Sequence, residues 1–449
     1  MIKPSKIIIV GGNAAGPAAA AKAKRFNPEA EVILFEAGNF ISTGTCEMPY
    51  VLSGAIDDYN KIVFYTPEKF FKEKGVKTFT NHKVESINRK ERKVFVKDLR
   101  RNQASEFIYD KLVLATGSVT KKLEQFPTSL KNVHNLKNIQ DLANILNLVK
   151  EKQLNKVVIV GSGYVGLETA EAFHKLGVAV TIVEKDEYPF PSAEPEVQLL
   201  IYELFKQNDI PFYGHVNKFR TTVTGGSLNS INLDSRLLEF DIVLVAAGFS
   251  PNTELAKNCG LEMGTLGGIK VDTRLRTSCQ DIYAAGDCIE VKNAVTNRSD
   301  CIPLATIAHN FGHIAGENAA GGNKKADSVV KNLSVKIFDK YFVSVGLNSQ
   351  EAYNEKYIFN TVQEVAPNLI EVMPASSKVF GKIIYEKESK KILGASFFGG
   401  EEVSGYGDLI STLIKTKQAA DVLASINYNY TPPLSPMVNL LSVLGRKIK

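Results

Sequence analysis

One pattern occurs twice in this sequence and constrains the fold more than any other feature. In each copy an apolar strand leads into a glycine-rich turn, a helix follows, and a second apolar strand ends at a glutamate; the copies span residues 6–36 and 157–184. Small residues in such a turn let backbone N–H groups approach a pyrophosphate, and the helix N-terminus adds partial positive charge. We therefore predict two dinucleotide-binding folds of the α/β type in one chain.

The two glutamates and the two turns are the first candidate binding residues. Glu36 lies 20 residues after Gly16 and Glu184 lies 18 residues after Gly166, near the interval of about 20 residues at which an acid binds ribose hydroxyls. Asn13 replaces the middle glycine of the first turn, and asparagine adopts the required backbone angles more readily than most residues. The predicted contacts are Gly11, Gly12, Ala14, Gly16 and Glu36 for the first cofactor, and Gly161, Gly163, Tyr164, Gly166 and Glu184 for the second.

The acid of the second copy also bears on the choice of nicotinamide cofactor. Glu184 would repel a 2′-phosphate, which favours NADH over NADPH. Lys185 directly follows it and would offset part of that repulsion, so NADPH stays open as the alternative.

Composition narrows the class of protein. A chain of 449 residues is too long for one ordinary core, so roughly two to four domains are expected. The hydrophobic fraction of 44% and the charged fraction of 23% are those of a soluble globular protein. No apolar run approaches the about 20 residues of a membrane span, and the short run at residues 7–10 is typical of a buried strand rather than a signal peptide. The cytoplasm is the expected location.

Charge and cysteine content exclude further classes. The net charge of +6 is spread along the chain without a Lys/Arg-rich block, which argues against nucleic-acid binding. Neither a disulfide framework nor a metal site is predicted, because the cysteines are odd in number and form no Cys-x-x-Cys pair. The five cysteines are Cys46, Cys259, Cys279, Cys288 and Cys301.

Three further segments resemble the pyridine nucleotide-disulfide oxidoreductase family: residues 109–117, residues 240–252 and residues 281–287. The resemblance covers nearly the whole chain. It implies FAD as the first cofactor, bound by residues 1–115 and 249–322, and NAD(P)H bound by an inserted domain at residues 116–248. Residues 330–449 would form a C-terminal α/β domain at the interface of a homodimer.

The resemblance also implies further cofactor contacts. Asp287 would bind the ribitol of FAD; the alternative is that it caps the N-terminus of a helix, and it could do both. The helix at residues 306–320 would point at the flavin, where its N-terminus stabilises negative charge. Beyond the glycine turns, the implied contacts are Val84, Ala115, Thr116, Gly117, Asp287 and Ala305 for FAD, and Gly248 for NAD.

Cys46 is the predicted catalytic residue. It lies ten residues after Glu36, in a stretch that lies against the flavin ring in the family, where a thiol can bond to the flavin or form a mixed disulfide with substrate. Val51 stands where paired-cysteine members have their second cysteine. The alternative is a small buried cysteine with a packing role.

The pattern Cys46-x-x-Pro49-Tyr50 resembles the coenzyme A-disulfide reductases of this family and their persulfide- and polysulfide-reducing relatives. Tyr430 stands in a Tyr-x-Pro-Pro-x-Ser motif, and the resemblance implies that it donates a proton to the departing thiolate from the partner subunit. The alternative for Tyr430 is a dimer contact. The basic residues implied to hold coenzyme A phosphates are Lys22, Arg25 and Lys74, unless they are simply solvated.

Three functions stay open. The first is reduction of coenzyme A disulfide, or of a related small disulfide, through Cys46. The second is reduction of a coenzyme A persulfide or polysulfide, or an NADH oxidase activity, although the first glycine turn lacks the histidine usual in the family's oxidases. The third is electron transfer to a ferredoxin- or rubredoxin-like protein, with Cys46 incidental. A tyrosine that coenzyme A-disulfide reductases tend to carry is absent from residues 365–379, which leaves the sulfur substrate open.

Overall fold

The structure is a computed structural model that describes residues 5–151, 154–216, 219–233 and 236–449. The chain forms a first unit, an inserted unit that interrupts it, and a C-terminal unit. The predicted α/β class, with two Rossmann-like units and a C-terminal α/β unit, is confirmed.

Most of the helices and strands of the first unit lie in the segment before the inserted unit. Its opening segment contains β1 (Lys6–Val10), α1 (Ala15–Phe26), β2 (Glu31–Phe35), β3 (Ile41–Thr43), α2 (Met48–Leu52), β4 (Val63–Tyr65), α3 (Pro67–Lys74), β5 (Lys77–Phe79), β6 (His82–Asn88), β7 (Lys93–Asp98), β8 (Gln103–Ile108) and β9 (Lys111–Leu114). Strands β6, β7 and β8 form an antiparallel sheet of their own. The last four residues of β1 are buried and apolar, as expected of a parallel strand covered on both faces.

The inserted unit repeats the same plan. It contains β10 (Ser118–Thr120), β11 (Val133–His134), α4 (Ile139–Lys150), β12 (Lys156–Val160), α5 (Tyr164–Lys175), β13 (Ala179–Val183), α6 (Pro195–Gln207), β14 (Phe212–Tyr213), β15 (Arg220–Thr224), β16 (Ser227–Leu233), β17 (Arg236–Leu238), β18 (Ile242–Val245) and β19 (Phe249–Pro251). Its parallel sheet has the order β11-β18-β12-β13-β14, and β15, β16 and β17 form an antiparallel sheet. Strands β10 and β19 pair with each other where the chain enters and leaves the unit.

The chain then returns to complete the first unit. This segment contains α7 (Glu254–Asn258), β20 (Ile282–Ala284), β21 (Val291–Lys292), β22 (Ser299–Asp300) and α8 (Ala305–Ala319). The completed parallel sheet has the order β20-β9-β1-β2-β5. Helix α8 packs so closely on α1 that two of its glycines have no room for a side chain. A Cβ at Gly312 would lie 2.3 Å from the carbonyl oxygen of Ala15, and a Cβ at Gly316 would lie 2.1 Å from the carbonyl oxygen of Ala19. This contact fixes where the N-terminus of α8 lies.

The C-terminal unit is a five-stranded antiparallel sheet with the order β23-β24-β27-β26-β25 and helices packed on it. Its elements are β23 (Asn332–Ile337), β24 (Lys340–Gly346), α9 (Ser349–Asn354), β25 (Phe359–Pro367), β26 (Lys378–Glu386), β27 (Ile392–Gly399), α10 (Val403–Lys415) and α11 (Leu440–Arg446). Across the described part of the chain, no helix has the length and apolar character of a membrane span.

Buried ion pairs join the C-terminal unit to the inserted unit. The Nζ of Lys382, on β26, lies 2.7 Å from the carboxylate of Glu194, and both side chains are almost fully buried. The backbone N–H of Ser349 also donates to Glu194 at 2.6 Å. A second link runs from the backbone N–H of Phe338 to Glu171 of α5 at 2.7 Å. Because an unpaired buried charge is costly, these contacts hold the two units in one relative position.

Candidate active site

The first glycine turn leaves no room for side chains at two of its positions. Gly11 has φ +110°, and a Cβ there would lie 2.1 Å from the carbonyl oxygen of Ala115. A Cβ at Gly16 would lie 1.8 Å from the oxygen of Gly11. Ala14 stands at the N-cap position of α1 and offers no side-chain cap, so the first N–H groups of the helix are available to a phosphate.

Glu36 stands at the carboxyl end of β2, directly beside this turn. Its carboxylate accepts the backbone N–H of Gly12 and that of Gly38, each at 2.6 Å. Burial raises the pKa of Glu36, and the backbone hydrogen bonds from Gly38, Gly12 and Ala37 oppose that rise. Each carboxylate oxygen can accept a further hydrogen bond, which is the chemistry that binding of ribose hydroxyls requires.

The second turn repeats this arrangement but leaves one glycine facing open space. A Cβ at Gly166 would lie 2.1 Å from the oxygen of Gly161, whereas a Cβ at Gly163 would meet no atom within 4 Å. The carboxylate of Glu184 accepts the backbone N–H of Ser162 at 2.8 Å and its hydroxyl at 2.7 Å. The space above Gly163 and the acid beside it fit the pyrophosphate and ribose of a dinucleotide.

The predicted residues 115–117 lie where the inserted unit joins the first unit. The hydroxyl of Thr116 donates to the carbonyl oxygen of Asn252 at 2.6 Å. The backbone N–H of Asn252 donates to the carbonyl oxygen of Gly117 at 2.9 Å. Gly117 and Gly248 both have positive φ, at +67° and +93°, which favours glycine. Strands β10 and β19, which follow Gly117 and Gly248, pair with each other where the two units join.

Asp287 lies in the turn after β20, and the alternative that it caps a helix is wrong. Helix α8 begins at Ala305, and its N-cap is Leu304, which makes no side-chain cap. The carboxylate of Asp287 instead accepts the hydroxyl of Ser118 at 2.9 Å. Because the first turn of α8 is uncapped, its N–H groups remain available to a bound ligand.

Cys46 lies in a short 3₁₀ turn at residues 45–47, just before α2. The residue is exposed, so the alternative of a buried packing cysteine is wrong for it; Cys288 is the buried one. Partial desolvation is the largest cause that raises the pKa of Cys46, followed by Glu47, Glu168 and Asp287. Lys137 is the group that lowers it.

A half-buried carboxyl of the inserted unit lies next to the Cys46 turn. Glu168 on α5 lines a cavity together with Pro49 and Tyr50. Burial, reinforced by the carboxylate of Glu171, raises the pKa of Glu168 to about 7. Burial likewise raises the pKa of Tyr50 to about 12, with Glu168 as the next cause. The inserted unit thus places a group that titrates near neutrality beside the predicted catalytic thiol.

Two of the three predicted basic residues belong to one positive cluster. Lys22 and Arg25 on α1 lie near His309 and His313 of α8, whose ring centroids are 4.6 Å apart. Burial is the largest cause that lowers the pKa of His313 to about 4, and the charges of His309, Arg25, Lys22 and Lys324 contribute to the same shift. Lys22 also pairs with Glu317 at 2.8 Å. An anion bound here would relieve this repulsion.

The remaining predicted residues lie apart from that cluster. Lys74 is on α3, with its Nζ 5.8 Å from the ring centroid of Tyr65. The side chain of Val84 is buried in the core of the first unit, next to an irregularity in the β6–β7 register. Tyr430 is 48% exposed on the C-terminal unit.

Sequence reasoning missed several residues of this region. Glu168 lies two residues past Gly166, the last residue of the second glycine turn. The spacing of His309 and His313, four residues apart on a predicted helix, was a visible signal. Lys137 carries no local signal, because only the assembled fold brings it to Asp287 and Cys46.

Comparison with known proteins decides the family. The profile of the pyridine nucleotide-disulphide oxidoreductase family matches residues 5–312, and that of its dimerisation domain matches residues 333–441. The chain belongs to the pyridine nucleotide-disulphide oxidoreductase family. It is therefore an FAD-dependent oxidoreductase that uses NAD(P)H.

Similar members of the family come from archaea and bacteria. The chain is 30% identical to an NAD(P)H sulfur oxidoreductase (CoA-dependent) of Pyrococcus abyssi, over 99% of this chain and 98% of that protein. It is 28% identical to a coenzyme A disulfide reductase of Staphylococcus aureus, over 99% of this chain and all (100%) of that protein. A crystal structure of reduced Bacillus anthracis CoADR-RHD superposes with a TM-score of 0.94 at 28% identity, over 99% of this chain and 80% of that one.

Proposed function

We propose that this protein is a homodimeric, cytoplasmic enzyme that uses NADH to reduce coenzyme A disulfide through Cys46. The observation that carries the proposal is the place of that thiol. It is exposed, it lies within electrostatic range of Asp287, and it lacks a neighbouring cysteine in the same turn. A single thiol can serve if the substrate supplies the second sulfur of the disulfide.

The two turns divide the cofactors between them. FAD would bind at the first turn with Glu36, Asp287 and the N-terminus of α8, and NADH would bind at the second turn with Glu184. Lys185 lies 3.6 Å from Asp186, so its charge is partly balanced, which supports NADH over NADPH. Bound FAD would carry electrons from NADH to the sulfur, which no side chain of this chain can do alone.

The thiol chemistry balances with one NADH for each disulfide. The Cys46 thiolate attacks one sulfur of coenzyme A disulfide, the S–S bond breaks, and the first coenzyme A leaves as a thiolate that takes up a proton. Two electrons, originating from NADH, then cleave the mixed disulfide at Cys46, which regenerates its thiolate and releases the second coenzyme A. Tyr430, reaching from the partner subunit, would supply a proton to a departing thiolate.

The positive cluster supports coenzyme A as the thiol. Coenzyme A carries several phosphate charges, and Lys22, Arg25, His309 and His313 together offer cationic and N–H groups on one face of α1 and α8. The names of the relatives from Pyrococcus abyssi and Staphylococcus aureus both include coenzyme A. A small disulfide without phosphates would gain nothing from these groups.

Anaerobic NADH consumption by the purified protein tests the proposal, with coenzyme A disulfide as the acceptor. We expect rapid turnover that Cys46→Ser abolishes, while NADH-to-dye transfer continues because it needs no thiol. Cys259 is a partly buried cysteine in a turn of the first unit. The variant Cys259→Ser is the matched control and should keep full activity. Turnover of the disulfide by Cys46→Ser would overturn the proposed role of Cys46.

A persulfide or polysulfide is the second candidate substrate. It is favoured because residues 365–379 lack the tyrosine that coenzyme A-disulfide reductases tend to carry. The same assay with coenzyme A persulfide and with polysulfide separates the two. Turnover with these alone would move the proposal to sulfur reduction. If the enzyme reduces none of the three acceptors, electron transfer to a partner protein would remain as its function.

A further inference from the structure

The loop between β13 and α6 connects the acid of the second turn to the C-terminal unit. This β13–α6 loop, residues 185–194, follows Glu184 directly and ends where α6 begins at Pro195. Its last residue, Glu194, is almost fully buried. Glu194 stands at the N-cap position of α6 but makes no side-chain cap, so its own helix does not use the carboxylate.

The C-terminal unit supplies the partners of that carboxylate. The Nζ of Lys382 lies 2.7 Å from Glu194, and Ser349 donates to it twice, through its backbone N–H at 2.6 Å and its hydroxyl at 2.9 Å. The side-chain amide of Asn348 also donates to the carbonyl oxygen of Ser192 at 2.9 Å. The end of the β13–α6 loop is therefore anchored to the C-terminal unit by both its backbone and its buried charge.

The same loop contacts the C-terminal unit again, nearer to the second turn. The buried ring of Phe190 packs edge-on against that of Phe342 on β24, with the centroids 5.1 Å apart. The backbone N–H of Phe190 donates to the Oγ of Ser162 at 3.1 Å, and that hydroxyl donates to the carboxylate of Glu184 at 2.7 Å. A continuous set of contacts thus runs from the sheet of the C-terminal unit to the acid of the second turn.

These contacts fix the direction of one hydroxyl. A serine oxygen carries a single hydrogen and can accept hydrogen bonds from other donors. Because the N–H of Phe190 is directed at the oxygen of Ser162, the hydrogen of that hydroxyl is left for Glu184. Displacement of the loop would remove this constraint and leave the carboxylate of Glu184 less well ordered, and a binding group that must be ordered first binds its ligand more weakly.

We propose that Lys382 is a positioning residue for the nicotinamide cofactor: by holding Glu194 it fixes the β13–α6 loop, and with it the Ser162 hydroxyl that orients Glu184. A buried carboxylate is costly to leave unpaired, so the loop stays where the ammonium of Lys382 is. This inference rests on the proposed function, in which Glu184 binds the ribose of NADH. It goes further, because it gives the C-terminal unit a part in NADH binding.

NADH-to-dye transfer by the FAD-loaded enzyme tests this role without any disulfide substrate. We expect Lys382→Met to raise the KM for NADH by about tenfold. It should leave kcat unchanged, because the loop acts on binding of the ribose and not on hydride transfer. Ser349→Ala removes one hydrogen bond to Glu194 and keeps both charges, so it should raise the KM by about threefold. It carries the test if Lys382→Met fails to fold.

Lys336→Met is the matched control. Lys336 also forms an ion pair between the same two units, at 3.5 Å from Glu171, but its partner lies on α5 and not on the β13–α6 loop. The variant should therefore leave the KM for NADH unchanged. An equal rise in KM in Lys336→Met and Lys382→Met would overturn the inference, because any weakening of the boundary between the units would then have the same effect.

A double-variant cycle separates positioning from general weakening. In Glu184→Ala the acid that the loop orients is missing, so adding Lys382→Met should raise the KM for NADH by less than about twofold. Effects that multiply in full would overturn the inference, as would an unchanged KM in both Lys382→Met and Ser349→Ala. Failure of the proposed function is a different result, since Glu184→Ala alone would then leave the KM for NADH unchanged.

Discussion

The ring of Tyr164 meets the ring of Phe190 edge-on, with the centroids 4.7 Å apart and the planes at 85°. Phe190 in turn meets Phe342 of the C-terminal unit at 5.1 Å. Its backbone N–H donates to the Oγ of Ser162 at 3.1 Å, and Ser162 binds the carboxylate of Glu184. Phe190 therefore connects the acid and the tyrosine of the second turn to the C-terminal unit.

The backbone of Phe190 is left-handed, at φ +58°, which predicts an unusual order of stability for two variants. Both Phe190→Ala and Phe190→Gly lose the buried ring, at a cost of about 3–5 kcal/mol in the free energy of unfolding. Glycine is ordinarily about 1 kcal/mol less stable than alanine because of chain entropy. Here the alanine Cβ costs about 1 kcal/mol in the left-handed region, so we expect Phe190→Gly to be at least as stable as Phe190→Ala in denaturant melts.

Phe173 provides the matched control for that comparison. It is an equally buried phenylalanine with a helical backbone in α5. There Phe173→Gly should unfold at a lower denaturant concentration than Phe173→Ala. The same order at both positions would show that the backbone of Phe190 is not strained.

Two glycines of the second turn should respond differently to a methyl group. Gly166→Ala places its Cβ 2.1 Å from a backbone oxygen, whereas Gly163→Ala meets no protein atom within 4 Å. We expect Gly163→Ala to keep its fold and its FAD but to raise the KM for NADH at least about tenfold, because the methyl group fills space that the pyrophosphate needs. Gly166→Ala should lower the melting temperature instead. Unchanged NADH kinetics in Gly163→Ala would place the dinucleotide elsewhere.

The two dinucleotide folds could be predicted from sequence because their signals are local. Each strand, glycine turn and acid lies within about 30 residues, and the packing contacts of Gly11 and Gly16 are contacts that this motif requires. The exposure of Cys46 was harder to predict from the sequence. It depends on how α2, which directly follows the turn at residues 45–47, packs against α4 and α5, which begin more than 80 residues later in the sequence.

The environment of the thiol could not be predicted, because it is assembled by topology. Glu168, Lys137 and Asp287 come from three separate elements and meet only where the inserted unit lies on the first unit. The residues of strand β25 are half-buried or exposed, so this strand carries only a weak hydrophobic signal in the sequence. Local periodicity therefore predicted the cofactor folds, and long-range packing determined the electrostatics of the site.

If Glu184 sets the proposed preference for NADH, removing its carboxylate should weaken that preference. We expect Glu184→Ala to reduce the ratio of kcat/KM for NADH to that for NADPH by about tenfold, equivalent to about 1.4 kcal/mol. Both the hydrogen bonds to the ribose and the repulsion of a 2′-phosphate are lost. Glu187→Ala is the control, since it removes an exposed carboxylate from the same loop. An equal change in both variants would mean that net charge, and not contact with the ribose, sets the preference.

The raised pKa of Glu168 predicts how the stability of the variant Glu168→Gln differs from that of the parent protein as the pH changes. Burial raises the pKa from the ordinary value of 4.5 to about 7, so the folded protein binds this proton more tightly than the unfolded chain does. Ionisation therefore costs stability: the cost is absent below pH 4.5, grows as the pH rises towards 7, and is complete above it. Because Glu168→Gln cannot ionise, it should exceed the parent protein in free energy of unfolding at pH 8 by up to about 3 kcal/mol.

Melting curves of both proteins from pH 5 to pH 8, with FAD bound, measure this difference directly. Other titrating groups are common to the two proteins and cancel in the comparison at each pH. The stability gained by Glu168→Gln should grow with pH, and a gain that is the same at every pH would reflect packing instead. A gain that shrinks as the pH rises would mean that the Glu168 carboxylate is stabilised in the folded enzyme, and a cation would then have to lie closer to it than Glu171 does.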